Sequence, residues 1–246
     1  MKSVVVGSGG REHAIAHVLG RDSDVTVTPG NPGIPNSTTQ SPLNIDADLF
    51  VIGPEAPLVD GLADQLRAQG KTVFGPGVDG AQLEGSKAWM KDLLVEANVP
   101  TAKHGTFTNE DEAIAFLSDM PLPYVIKTDG LAAGKGVIVT ESVNEAKDAI
   151  KNYLSGDAFG DAGKTVVIEE GLIGNEISIL AICDGTKAVP LAPAQDYKRL
   201  LNDDEGPNTG GMGAYSPIPS VSEDFVTQIM EEAVQPTLQT LITRGI

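Results

Sequence analysis

A single cysteine, Cys183, occurs in 246 residues. The chain therefore closes no internal disulfide and shows no mark of an oxidising compartment, so a cytoplasmic setting is expected. Positive charge is scarce: 17 Lys and Arg stand against 34 Asp and Glu, a formal net charge of −17. That balance repels nucleic-acid phosphates and anionic membranes over most of the surface, so a phosphate ligand would need a local basic pocket. No run of about eighteen apolar residues is present to cross a membrane as a helix. The opening Lys2-Ser3-Val4-Val5-Val6-Gly7 is too short an apolar stretch for a signal peptide. Internal repeats and low-complexity tracts are missing too. Nor does a nucleophile stand in a catalytic setting: Cys183 lies in an apolar run, and His13, His17 and His104 form no evident triad.

What is present reads as α/β, with length for two or more compact domains. Val4 to Val6 have the pattern of a buried strand. Gly7-Ser8-Gly9-Gly10-Arg11-Glu12-His13 then forms a glycine turn into a helix with Ala14, Ile15, Val18 and Leu19 on one stripe, ending at Gly20. This opens an open parallel sheet. It approaches a dinucleotide fingerprint, but the third glycine falls at Glu12 and no acidic residue closes the next strand, Val25-Thr26-Val27. An NAD(P)-binding protein is thus the weaker alternative. Exposed N–H groups at the helix start, with Arg11, suit a phosphate or another anion; a tight packing turn fits the same residues. Residues 49–52 form a second buried strand that runs into Gly53-Pro54-Glu55-Ala56-Pro57. A helical stripe of Leu58, Leu62 and Leu66 follows, then the strand Thr72-Val73-Phe74. Glu55 and the first turn would both lie at strand carboxyl ends and could share one ligand, with Glu55 on sugar hydroxyls or simply solvated. Residues 36–48 are polar and broken by Pro42, so the usual crossover helix is not expected there.

The most informative stretch spans residues 124–140. Two β-branched runs, Val125-Ile126 and Val137-Ile138-Val139, flank a loop with Gly130, Gly134 and Gly136. Lys135 is followed by Gly136 and a strand rather than by Ser or Thr and a helix, so this is a flap and not a Walker A loop. Its glycines let the backbone close over a polyphosphate, and Lys127 and Lys135 can neutralise charge there; an ordinary hairpin with solvated lysines has the same pattern. Helices are expected from Ser86, a candidate N-cap, through Ala97, and over residues 109–117 and 143–153. Lys87 in a first helical turn opposes the helix dipole and is better explained by a bound anion. The strand at residues 165–170 ends in Glu169 and Glu170, and Glu176 opens the apolar run of residues 177–182. A strand edge there could meet an adenine, with Glu176 on ribose hydroxyls, or these could be solvated acids. Four glycines and two prolines in residues 203–217 forbid a regular element, as in many ligand-contacting or disordered loops. A final helix over residues 224–241 contains Pro236, a candidate kink.

Five segments carry a resemblance. Gly9-Gly10-Arg11-Glu12-His13-Ala14, Gly53-Pro54-Glu55-Ala56-Pro57-Leu58, Gln82-Leu83-Glu84-Gly85-Ser86-Lys87, Asp129-Gly130-Leu131-Ala132-Ala133-Gly134-Lys135-Gly136 and Pro207-Asn208-Thr209-Gly210-Gly211-Met212-Gly213-Ala214-Tyr215-Ser216-Pro217 closely resemble, in order, the phosphoribosylamine–glycine ligase (glycinamide ribonucleotide synthetase) family of the ATP-grasp superfamily. The resemblance covers essentially the whole chain. It implies a substrate domain at residues 1–86, a linker helix and ATP-covering lid at 87–172, and a partial central antiparallel sheet at 173–246. The implied reaction ligates glycine to 5-phosphoribosylamine through glycyl phosphate, with ATP and Mg²⁺, in purine biosynthesis. A non-catalytic nucleotide- or sugar-phosphate-binding module is the alternative.

By the same resemblance Lys87 and Lys127 contact ATP phosphates, and the loop with Gly134, Lys135 and Gly136 covers them. Glu169, Glu170 and Leu172 frame adenine, and Glu176 takes the ribose. Gly9, Gly10, Arg11, Gly53, Pro54 and Glu55 hold phosphoribosylamine. Asp196, Lys198 and Arg199 join Lys127 as catalytic residues, and the loop of Asn208, Thr209, Gly210, Gly211, Met212 and Gly213 closes over the acceptor. Two departures stand out. Tyr197 replaces a family histidine, and family members run on further, through the Glu and Asn that bind magnesium and the rest of the central sheet. The chain thus reads as shortened at its end and, at residues 36–48, internally, with a complementing chain or oligomer among its possible partners.

Overall fold

Val4, Val5 and Val6 are apolar on successive faces, and a parallel strand of that kind needs cover on both sides. They form the middle of β1 (Lys2–Gly7), an interior strand of a four-stranded sheet. Parallel partners β2 (Asp24–Pro29) and β3 (Leu49–Ile52) flank β1, and β4 (Thr72–Phe74) pairs with β3. The computed structural model describes residues 1–131, 136–156 and 163–246, and of Asp204 and Asn208 the backbone. It divides into two compact units, Met1–Gly85 and Ser86–Ile246.

In the first unit Val4 and Val6 face a core with Phe50, Ile52, Leu58 and Leu66, while Val5 faces Val27 and Ile34. Helix α1 (Gly10–Leu19) covers the second face through Ile15, Ala16 and Leu19. Val18, expected on that stripe, is exposed. The expected single stripe of Leu58, Leu62 and Leu66 spans two helices, α2 (Glu55–Val59) and α3 (Leu62–Ala68). Gly61 sits between them at φ +81°, a conformation that breaks an α-helix. A further helix, α4 (Val78–Gly85), was not anticipated; Asp64 from α3 accepts from the Val78 N–H at its start (2.8 Å), satisfying a helix-end donor through a partner remote in sequence. Between β2 and β3 the chain makes a 3₁₀ turn at Pro42–Asn44 in place of a crossover helix, as expected.

The second unit opens with α5 (Lys87–Glu96), capped by Ser86, whose Oγ accepts from the Trp89 N–H. Its main sheet has the order β5-β8-β6-β7 and is antiparallel throughout: β5 (His104–Phe107), β6 (Tyr124–Thr128), β7 (Val137–Thr140) and β8 (Val166–Glu170). The expected hairpin is β6 with β7, Lys127 opposite Val137. Helices α6 (Glu110–Phe116) and α7 (Val143–Leu154) close one face over Tyr124, Ile126, Ala149, Ile150 and Ile168.

Beyond β8 the chain forms three antiparallel ribbons: β9 (Ala181–Cys183) with β10 (Ala188–Pro190), β11 (Gln195–Asp196) with β14 (Ala214–Tyr215), and β12 (Arg199–Leu201) with β13 (Glu205–Asn208). Two of these strands, β13 and β14, lie where glycine and proline were expected to forbid regular structure; β14 fits between Gly213 and Pro217, whereas β13 itself includes Gly206 and Pro207. Leu180, Ile182, Val189, Leu200 and Leu201 on the ribbons are exposed, so the apolar run of residues 177–182 is not a buried strand. The closing helix divides into α8 (Glu223–Ile229) and α9 (Gln235–Thr243) around a π turn at Met230–Val234. Pro236 falls in the first turn of α9, where its missing N–H costs least. Arg244 stacks over Trp89 of α5 and pairs with Glu96. No helix among the described residues is long and apolar enough to cross a membrane.

Candidate functional site

At the carboxyl end of the first sheet, the turn with Gly9, Gly10 and Arg11 meets the turn with Gly53, Pro54 and Glu55. Arg11 Nη2 stands 3.1 Å from Glu55 Oε2. The Glu55 carboxyl is held below the usual carboxylate range, first by its own backbone N–H and then by Arg11, against the opposing pull of burial. An incoming phosphate would therefore compete with Glu55 for Arg11. Between the turns lies Glu12, 3 % exposed. Its Oε2 accepts from the Gly9 N–H at 2.6 Å. Its Oε1 has no hydrogen-bond partner among the described residues and lies 3.8 Å from Arg11 Nε. Sequence reasoning left Glu12 without a role, although its place at the third glycine of the turn was the available signal. The side chain packs against Gly7 and Gly53, where an added Cβ would collide with it.

In the second unit the start of α5 is held by the hairpin loop. Asp129 accepts from Ser86 Oγ (3.0 and 3.2 Å) and from the Ala88 N–H (3.1 Å). The anion anticipated beside Lys87 is thus, in part, the protein's own carboxylate at the positive end of the helix. Lys87 Nζ donates to the Gly130 carbonyl at 2.7 Å, so this lysine is anchored to the loop root. Gly136 accepts from the Thr128 N–H at the other side of the loop (2.8 Å). Gly134 and Lys135 lie outside the described residues.

Next to the loop root is a charge cluster. Glu169 Oε2 takes Lys127 Nζ at 2.9 Å and Lys91 Nζ at 3.2 Å. Lys91 also donates to Thr101 Oγ1 (2.7 Å). The Lys91 and Glu169 side chains are 5 % and 7 % exposed and that of Lys127 is 25 % exposed. Glu169 Oε1 and Thr128 Oγ1 are buried with no partner among the described residues. Two ammonium groups on one carboxylate leave a surplus positive charge, with an open acceptor and a part-exposed lysine beside it. Sequence reasoning picked out Glu169 and Lys127 but passed over Lys91. Glu170 is engaged elsewhere, accepting from the Lys103 N–H at 2.7 Å.

The ribbons enclose a cavity of about 790 Å³ lined by Leu172, Glu176, Asp196, Lys198, Arg199 and Met212, among others. Lys198 Nζ pairs with Glu176 Oε2 at 2.8 Å. Arg199 Nη1 donates to the Gly206 carbonyl (2.6 Å). The loop at residues 208–213 folds back on these strands. Asn208 opposes Arg199, Thr209 Oγ1 donates to the Lys198 carbonyl, and the Gly211 N–H donates to Thr209 Oγ1. The Met212 N–H reaches the Tyr197 carbonyl, and the Tyr197 N–H reaches Gly213. Gly211 (φ +123°) and Gly213 (φ +154°) on either side of Met212 adopt backbone that side chains disfavour, and Gly210 has open space around it. The proposed catalytic set is thus divided: Asp196, Lys198 and Arg199 line this cavity, and Lys127 belongs to the charge cluster.

Glu176 raises the Lys198 ammonium pKa by hydrogen bond and charge. Stability from this pair is fully present below the ordinary lysine pKa and is lost as pH rises through the elevated one; with both partners well exposed it is small. Glu176→Gln is expected to return Lys198 toward its ordinary titration, followed by NMR at the side-chain nitrogen. An unchanged titration would assign the shift to another cause.

Both units match known sequences. Residues 1–84 match the phosphoribosylglycinamide synthetase N domain, and residues 85–246 match the phosphoribosylglycinamide synthetase ATP-grasp (A) domain. The chain belongs to the phosphoribosylglycinamide synthetase family. It is 47 % identical over 264 residues to the phosphoribosylamine–glycine ligase of Xanthomonas campestris pv. campestris, covering all of this chain and 61 % of that one. The crystal structure of the phosphoribosylamine–glycine ligase of Thermotoga maritima superposes with a TM-score of 0.84 at 33 % identity, over 100 % of this chain and 62 % of that one. The fold also matches the biotin carboxylase domain of Hydrogenobacter thermophilus 2-oxoglutarate carboxylase, solved with ADP, magnesium and bicarbonate, at TM-score 0.74 and 15 % identity, over 97 % of this chain and 58 % of that one. The chain thus spans about three fifths of the curated relatives it matches.

In this family member, no group of three or more His, Cys, Asp or Glu among the described residues is gathered to hold a metal ion. The charge cluster presents a part-exposed ammonium with surplus positive charge, which suits an anionic ligand.

Proposed function

We propose that this chain binds ATP in its second unit and 5-phosphoribosylamine in its first, and takes part in joining glycine to that amine to give glycinamide ribonucleotide, ADP and phosphate. The observation that carries the reading is the Lys127–Glu169 cluster, whose surplus positive charge reaches the part-exposed Lys127 ammonium and asks for an anionic ligand. Nucleotide phosphates toward Lys127 and Lys87, with the adenine amino group on the side of Glu169, meet that demand. Backbone from Glu169 to Leu172 would flank the base, and Glu176, released from Lys198, would take ribose hydroxyls. Arg11 and Glu55 would divide between the phosphate and hydroxyls of phosphoribosylamine.

Both reacting groups belong to substrates: a glycine carboxylate oxygen attacks the γ-phosphorus, ADP leaves, and the amine then attacks the glycyl phosphate carbonyl and expels phosphate. The chain's task is to position and neutralise, with Lys198 and Arg199 on carboxylate and phosphoryl charge, Asp196 orienting the incoming amine, and the loop at residues 208–213 excluding water. Family chemistry also uses Mg²⁺. Bound with the nucleotide, it would neutralise phosphate charge; the roles above are those of this chain's own residues.

The test is ADP release by the full chain in magnesium buffer. Release that requires glycine and phosphoribosylamine together is expected. Folded chain that binds ATP yet releases no ADP would instead establish the second reading, a nucleotide-binding module.

A further inference from the structure

Lys91 lies outside every role assigned above. Its ammonium is buried, stands 3.2 Å from the same Glu169 oxygen that Lys127 meets, and has Thr101 as its other partner. We propose that Lys91 is a positioning residue that keeps Lys127 electrostatically available to phosphate by claiming half of the shared Glu169 oxygen. The inference rests on the nucleotide reading of the cluster. Its logic is charge balance: with Lys91 present, two cations share one anion and the surplus appears at Lys127, the member of the trio open to solvent. Remove Lys91 and Glu169 neutralises Lys127 alone, so a phosphate must break a complete ion pair to engage it. Thr101 holds Lys91 so that it cannot swing outward to become a ligand contact itself.

The test measures ATP affinity of the full chain by calorimetry, with circular dichroism to confirm folding. Lys91→Met is expected to weaken ATP binding about tenfold, on the scale of one unit charge within a protein. Lys91→Arg, which keeps the cation, should stay within about threefold of the parent. The deciding variant is Lys91→Met with Glu169→Gln, compared with the single variant using inorganic triphosphate, which makes no adenine contact: it removes one positive and one negative charge from the trio, leaves Lys127 unneutralised, and should recover most of the lost phosphate affinity. A merely structural Lys91 predicts the reverse, because the double variant removes two buried contacts. Where Lys91→Met does not fold, Lys91→Gln, which keeps a polar head for Thr101, replaces it in both arms. Parental affinity in Lys91→Met, or a double variant no tighter than the single one, overturns this inference alone. Failure of the parent chain to bind ATP overturns the nucleotide reading and the inference with it.

Discussion

Replacing Glu169 with alanine is expected to destabilise the second unit by about 3–5 kcal/mol, the range for removing one partner of a buried ion pair. The corresponding fall in Tm is on the order of 10 °C. The cost comes chiefly from Lys91. Its side chain is 5 % exposed, and without Glu169 its ammonium keeps the Thr101 hydroxyl and nothing else that the structure assigns to it. Lys127, a quarter exposed, can turn to water and loses less. The unpartnered Oε1 works in the other direction, since removing it relieves a buried polar atom without a hydrogen bond, but one such atom offsets only about 1–3 kcal/mol. Glu169→Gln should fall between, because its carboxamide oxygen still accepts from one lysine. Thermal unfolding followed by circular dichroism reads both. A loss under about 1 kcal/mol for the alanine variant would mean that water reaches Lys91, and the burial argument would fail.

Why this trio escaped the sequence is a matter of range. Local patterns disclosed β1 to β4, the β6–β7 hairpin, β8, the Ser86 cap and the lack of a helix at residues 36–48, because each depends on residues a few positions apart; β5 and the short strands of the ribbons were not foreseen. Lys91 stands on α5 near Leu93 with no local sign of its partner; only the ion pair with Glu169 of β8 shows why a cation is buried there. Asp129 as the anion at the start of α5 is the same kind of fact, a local electrostatic need met from across the fold. The division of α2 from α3 was different. Gly61 was in plain view, but an apolar stripe of leucines outweighed one glycine in the reading, whereas in the chain a single residue at φ +81° is enough to end a helix. The exposed leucines and valines of the ribbons reverse another local rule: apolar runs predict burial only when something packs over them. The family motifs located the candidate site residues along the chain, but not the pairing of Glu176 with Lys198 or of Arg11 with Glu55, which sets the contacts a ligand must displace.

Gly53→Ala is expected to cost the first unit about 3 kcal/mol, combining overpacking with a strained or lost Glu12 hydrogen bond. In a unit of this size that lowers Tm by on the order of 15 °C. The added methyl carbon would stand 2.2 Å from Glu12 Oε1 and 2.6 Å from its Cγ. A flexible carboxylate on the surface would step aside. Glu12 cannot do so freely: it is buried, tied to the Gly9 N–H, and blocked on another side by Gly7, where a Cβ would come within 2.3 Å of the same Cγ. Gly53 is absent from the positive-φ positions, so its backbone admits alanine and the penalty is a collision rather than strain. That distinction supplies the control. Glu12→Ala in the same chain removes the atoms that collide, so the double variant should recover most of what Gly53→Ala loses, with a coupling of about 1–3 kcal/mol. Gly7→Ala should not be rescued to the same extent, because φ +135° remains unfavourable for alanine after Glu12 is gone. If Glu12→Ala rescues neither variant, the carboxylate does not hold the two turns together, and the Arg11–Glu55 pair above it must draw its geometry from elsewhere.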